Sequence, residues 1–206
     1  MRAAREAENN RPVACREVIA AFRDDHINAG KTYIRDDAIF KQYSDEVQAE
    51  CQDLEKFLEA TQRIGEISEK SRDKIISKGE VLACRFMASL LRDRGVEAQY
   101  VDLTEIVDFD SERGVDQDFY DKLAVRLGAA AKGVGSVVPV MTGYFGIVPG
   151  GLLKNIGRGY TDLCAALVAV GLRASELQVI KEVDGVFTAD PRKVITARLQ
   201  IGRAHV

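Results

Sequence analysis

Two glycines bracketing an arginine, Gly157-Arg158-Gly159, run into Tyr160-Thr161-Asp162 and then into the apolar stretch 163–170. A backbone this free bends tightly, and Thr161 is then placed to cap a helix whose first turn carries Asp162. Such a helix start presents unpaired N–H groups at the positive end of the helix dipole, and Arg158 adds a planar fork matched to a carboxylate or phosphate. The stretch therefore predicts an anion-holding turn between a strand and a helix. Its neighbours fit that frame. Upstream, 137–142 is a short apolar run containing Pro139 that breaks into the glycine-rich loop 143–151. Downstream, 176–181 reads as a second strand, ending in the charged turn 181–185 and then Thr188-Ala189-Asp190-Pro191-Arg192. Strands alternating with helices predict an α/β domain with a largely parallel sheet.

Earlier in the chain, 13–29 reads as a helix with Val18, Phe22 and Ala29 on one side. Phe40, Tyr43, Val47, Cys51, Leu54 and Leu58 then recur at steps of three and four, giving one apolar stripe opposite Asp45, Glu46, Glu50, Gln52, Glu55 and Lys56. The stripe is too short for a coiled coil and predicts a helix packed on its own domain. The segment 63–78 also reads as helical. Ser77-Lys78-Gly79-Glu80 has the spacing of a capping box and would open a largely buried helix over 81–94, with Cys84, Met87, Ala88 and Leu91 on one face. Gly95 ends it, and Val96, Ala98 and Tyr100 alternate as in a half-exposed strand. The charged stretch 104–115 is expected to be a surface loop leading to a helix over 116–132.

A length of 206 residues, 46% hydrophobic and 30% charged, suits one core and one domain. The formal net charge of −3, with both signs interspersed, argues against a nucleic-acid partner. No apolar run approaches a membrane span and the first residues do not read as a secretory signal, so no membrane partner and a cytoplasmic location are expected. Cys15, Cys51, Cys84 and Cys164 are widely spaced, which suggests neither a zinc site nor a disulfide framework. They read as reduced thiols, the last three as small hydrophobes on helix faces. His26 and His205 have no evident partners.

The segments G-Y-F-G-x-x-P, G-R-G-Y-T-D-L-C-A-A-L and K-E-V-D-G-V-F-T-A-D-P-R-K, with S-K-G-E at 77–80, resemble aspartate kinases, in particular those of fungi. The resemblance runs in order from about Val18 to Leu199. It implies the three-layer α/β/α sandwich of the amino-acid kinase type, incomplete here. It also implies transfer of the γ-phosphate of ATP, with Mg²⁺, to the β-carboxylate of L-aspartate, giving 4-phospho-L-aspartate, the entry to threonine, methionine and related amino acids. Arg158 and Asp162 would be catalytic. Glu80, Arg158, Thr161, Asp162 and Tyr144 would bind aspartate. Lys181, Glu182, Phe187 and Arg192 would bind the nucleotide. The parent enzyme would be a homo-oligomer.

For each of these residues the sequence also admits a plainer role. Ser77 and Glu80 suffice as a capping box, Thr161 and Asp162 as an N-cap with a dipole-favoured acid, Asp184-Gly185 and Asp190-Pro191 as turns, and Tyr144 as a core aromatic. Two other functions stay open, a kinase of another small carboxylate such as glutamate and a non-catalytic binding module that keeps the fold. Residues 1–200 are expected to be a partial catalytic domain lacking the N-terminal K-x-G-G-T-S loop and the C-terminal part, inactive and poorly stable alone. Ile201-Gly202-Arg203-Ala204-His205-Val206 is expected to be a non-native tail, resembling a translated sequencing adapter.

Overall fold

The computed structural model describes residues 3, 12–65, 67–109, 114–146, 148, 151–157, 159–180, 185–190 and 192–200. Three long helices come first, α1 (Pro12–Tyr33), α2 (Asp37–Ile64) and α3 (Glu69–Asp93). The stripe read from the sequence is the buried face of α2: Tyr43, Val47, Cys51, Leu54 and Leu58 all lie inside, joined by Thr61. Each end of α2 is locally encoded. The Asp36 carboxylate accepts from the Ala38 and Ile39 N–H groups, both at 2.9 Å, and Gly65 closes the helix at φ 77°. Ile19, Ile75 and Leu82 complete this first core from α1 and α3.

Charge reinforces the α2–α3 seam. The Lys78 ammonium bridges Glu50 (2.6 Å) and Asp53 (2.8 Å), and the Arg85 guanidinium bridges Glu46 (3.1 Å) and Glu50 (3.0 Å). Burial disfavours the Lys78 charge, but its hydrogen bonds to Asp53 and Glu50 outweigh that and hold its pKa above the ordinary value.

The strands β1 (Ala98–Val101) and β2 (Val138–Met141) pair in parallel, Ala98 opposite Val138, and α4 (Gln117–Lys132) lies between them in the chain, as a parallel pair requires. Asp116 starts α4 by accepting from the Phe119 N–H at 2.9 Å. After β2 come the short α5 (Leu152–Asn155) and then α6 (Tyr160–Leu172). α3 packs against both strands, while Val101 and Met141 pack into a second core with Phe119, Leu123, Leu127, Phe145 and Cys164. This helix–sheet–helix order is the expected α/β sandwich, with a small sheet. An antiparallel ribbon of β3 (Val186–Phe187) and β4 (Leu199–Gln200) closes the described chain. Among the described residues no helix is long and apolar enough to cross a membrane.

Three expectations need correction, and one lies outside the described residues. The helix expected to open at Ser77 begins at Glu69, capped by Ser68, and runs unbroken through Gly79. Ser77 is therefore no cap; its hydroxyl donates back to the Lys74 carbonyl at 2.8 Å, and the segment 63–78 is split instead at Gly65. Met87, expected inside, is 45% exposed, because the buried arc of α3 turns through Val81, Leu82, Ala88 and Ser89. Residues 176–180 form no strand: they pair with no neighbour among the described residues, and Ile180 is 91% exposed. The proposed tail, 201–206, and nearly all of the first eleven residues lie outside the described residues.

The α4–α6 contact leaves no room for side chains at its centre. A Cβ on Gly171 would sit 1.9 Å from the Ala124 carbonyl oxygen and 3.0 Å from the Gly128 Cα. Gly171→Ala is expected to destabilise the fold by about 1–3 kcal/mol, read as a lower urea midpoint, since backbone must move to admit the methyl. A second expectation concerns acid. The Lys78 hydrogen bond holds Asp53 below its ordinary 3.8, so the stability this carboxylate contributes is present above that pH and is lost as pH falls through the folded value. Wild type should exceed Asp53→Asn by up to about 1 kcal/mol at about pH 6, a gap that closes below about pH 4 in urea titrations; Asp53 is largely exposed, which keeps the effect small.

Candidate active site

Glu80 stands at the centre of the site, on the side of α3 that meets the end of β2. One carboxylate oxygen accepts from the Gly143 N–H at 3.0 Å and from the Tyr144 N–H at 3.2 Å. The other accepts a close hydrogen bond from the Tyr160 hydroxyl. Three segments far apart in the chain thus converge on one half-buried carboxylate, a charge that burial would penalise if it were not paired.

The glycine loop and α6 are pressed together at the same point. A Cβ on Gly143 would lie 2.5 Å from both Cα and Oγ1 of Thr161, so glycine is what lets the strand end reach the helix start. Next door, the buried Thr142 hydroxyl donates to the Tyr144 carbonyl at 2.8 Å and tightens the turn. The thiols of Cys84 and Cys164 donate to the Met141 and Thr142 carbonyls at 3.4 and 3.5 Å. Burial pushes those thiols up to about 11 and about 12, so they stay protonated and act as the small hydrophobes expected.

Thr161 does not cap α6. The cap position is Gly159, which offers no capping side chain, and Thr161 lies exposed within the first turn beside Asp162. The helix start therefore remains an electropositive end close to Glu80, as a free-bending glycine allows and a capping threonine would have blunted.

Of the residues singled out from the sequence, Glu80, Tyr144, Thr161 and Asp162 are brought to this corner. Tyr144 is buried, and burial pushes its phenol up to about 12. It serves both as core and as a wall of a cavity of about 510 Å³ that runs alongside, lined also by Ser77, Lys78, Tyr100 and Asp102. Arg158, Lys181 and Glu182 lie outside the described residues. Phe187 sits half-buried in β3, and Arg192 is exposed, its guanidinium held by Asp190 at 3.1 and 3.3 Å. Neither enters the hydrogen-bonded cluster at Glu80.

Two contributors went unread in the sequence. Tyr160 reads from the sequence only as part of a turn, although a large aromatic at a helix start beside a glycine loop is a candidate for burial. Burial, then its hydrogen bond to Glu80, raises its phenol above the ordinary value and keeps it a donor. Asp73, which reads as one more surface charge, is buried and accepts from the Leu152 N–H at 2.6 Å, fixing α5 at the far end of the glycine loop.

Chemically, a fixed carboxylate beside an uncapped helix start offers an acceptor for a cation and a donor set for an anion within one corner. This arrangement suits a zwitterion. Among the described residues no group of three or more His, Cys, Asp or Glu side chains is placed to hold a metal ion.

The model of the amino acid kinase family matches residues 16–202. Aspartokinase of Schizosaccharomyces pombe is 50% identical over 184 residues, spanning 89% of this chain and 36% of that protein. Aspartokinase of Saccharomyces cerevisiae is 46% identical over 192 residues, with the same coverage. The chain thus spans little more than a third of the length of these curated relatives. Among solved structures, E. coli aspartokinase III in complex with lysine and aspartate in its T-state superposes with a TM-score of 0.61 at 23% identity, over 96% of this chain and 43% of that one. That likeness supports the sandwich, and the match over nearly the whole sequence settles the lineage: the chain belongs to the amino acid kinase family.

Proposed function

We propose that this chain carries the amino-acid-binding part of an aspartate kinase, which moves the γ-phosphoryl group of ATP to the β-carboxylate of L-aspartate and releases 4-phospho-L-aspartate and ADP. The observation that carries the reading is Glu80, held by the glycine loop beside the start of α6. The fungal relatives named aspartokinase supply the reaction class.

In this reading Glu80 answers the substrate ammonium, and the first turn of α6 with Arg158 receives a substrate carboxylate. Phosphoryl transfer asks little covalent work of a protein, so holding the acceptor in line with the γ-phosphate is the main contribution of these residues. Tyr144 walls the acceptor side. Lys181, Glu182, Phe187 and Arg192 are proposed for the nucleotide. Mg²⁺ would neutralise the phosphates; among the described residues no group of three or more His, Cys, Asp or Glu side chains is placed to hold it by the protein alone. Cytoplasmic threonine and methionine synthesis by a homo-oligomeric enzyme completes the proposal.

The test is aspartate-dependent ADP release by the full-length protein. Glu80→Gln is expected to lower kcat/KM for aspartate by about 100-fold or more, because a charge-assisted contact to the ammonium is removed, and to leave KM for ATP within about threefold. Turnover with glutamate in place of aspartate, or a Glu80→Gln protein as active as wild type, would overturn the reading. Gly143→Ala is expected to impair aspartate use in the same assay, since its methyl meets the Thr161 backbone and must part the loop from α6.

A further inference from the structure

We propose that Tyr160 is a positioning residue for the amino-acid site, acting through Glu80; the inference rests on the aspartate kinase reading and adds a residue to it. Among the described residues three donors converge on the Glu80 carboxylate, and they are not equivalent. The Gly143 and Tyr144 N–H groups both take Oε2, at 3.0 and 3.2 Å, and belong to the loop at the end of β2. Among the described residues the Tyr160 hydroxyl is the one donor to Oε1, and it belongs to the first turn of α6. Tyr160 is 6% exposed, with its ring in the second core, so the phenol approaches Glu80 from a fixed direction.

A glutamate has three side-chain torsions, and two donors on one oxygen leave the carboxylate free to swing about that oxygen. A third donor on the other oxygen removes that freedom. Oε1 still has a lone pair after accepting from Tyr160, since a carboxylate oxygen accepts two bonds. The hydroxyl therefore aims that lone pair instead of using up the group, and the carboxylate reaches a substrate ammonium without first reorienting. The same bond also ties α6 to α3, because Tyr160 and Glu80 lie on those helices and no other described hydrogen bond joins the two. The Glu80 that receives the ammonium and the helix start that receives the carboxylate are thereby held at one spacing.

Tyr160→Phe in the full-length protein keeps the ring and removes only the donor. Expected are a rise of about 10-fold to 100-fold in KM and Kd for aspartate, with kcat within about threefold and KM for ATP unchanged, the loss typical of one hydrogen bond to a charged group. A double-mutant cycle with Glu80→Gln should show strong coupling on aspartate affinity, because removing the phenol matters only while a charged Glu80 remains to be aimed. Hydrogen exchange at the Gly143 and Tyr144 amides gives a readout that needs no substrate: exchange in the peptide spanning them should quicken in Tyr160→Phe and further in Glu80→Gln. If wild type shows no aspartate-dependent turnover, the kinase reading fails while the exchange experiment still decides whether Tyr160 holds Glu80. Unchanged exchange together with unchanged aspartate affinity would overturn the proposal. So would a Tyr160→Phe protein that loses only thermal stability, with kcat and both KM values intact.

Discussion

A half-buried carboxylate must be satisfied from several directions or be expelled to solvent, and Glu80 meets that demand with donors from two other segments. Much of the architecture serves this arrangement. α3 runs without interruption from Glu69 to Asp93, so the side chains of one long helix face α2 through Lys78 and Arg85 and face the β2 end through Glu80 and Cys84. A break at Ser77 would have uncoupled the two faces. Glycine at 143 then lets the strand end come within touching distance of Thr161, and Asp73, a second acid seven positions earlier on α3, secures the other end of the same loop at Leu152. The loop is held at both ends by acids from a single helix.

The seam between α2 and α3 keeps that helix in place by two different means. The apolar face of α2 contributes through burial, worth roughly 25 cal/mol per Å² removed from water, and does not rest on ionised groups. The ladder of Glu46, Arg85, Glu50, Lys78 and Asp53 contributes less energy but more direction, since each bridging cation accepts only one register between the helices. Arg85 also lies over the Tyr100 ring at 4.6 Å, which carries the same register into β1. Position along α3 is therefore set by charge, and its attachment by apolar area.

What could be read from the sequence follows from how local each signal is. The α2 stripe and the parallel pair about α4 were legible because the periodicity of each element is decided within a few residues. The capping-box reading of Ser77 failed for the same reason: a local pattern was present, but a helix already nucleated at Ser68 had no cause to start again. Thr161 reads correctly as part of the start of α6 but lies two positions past the cap it was expected to form, because Gly159 can occupy the cap site with no side chain at all. Residues 176–180 carry strand-forming side chains without a neighbouring strand to bond them. The partners of Glu80 could not be read, since they are 63, 64 and 80 residues away and are fixed only once both cores have formed. The family motifs point to Glu80, whereas Tyr160 reads from them only as one residue of the turn.

The sign of the charge at this corner bears on what can bind there. A fixed carboxylate repels phosphate, so the corner itself is a poor seat for a nucleotide, although the neighbouring helix start taken alone would suit one. Joined, the two select against simple anions and in favour of a molecule that carries an ammonium and a carboxylate a few bonds apart. On the proposed kinase reading phosphates are then met elsewhere; Phe187 in β3 and Arg192 between β3 and β4, proposed for the nucleotide, make no hydrogen bond to the Glu80 cluster among the described residues. On the aspartate kinase reading, the amino acid is held by opposite charges on two rigid helices while the phosphoryl donor comes from a different part of the surface. Discrimination among amino acids then falls to the distance between Glu80 and the start of α6, which is the distance that the Tyr160 hydroxyl fixes.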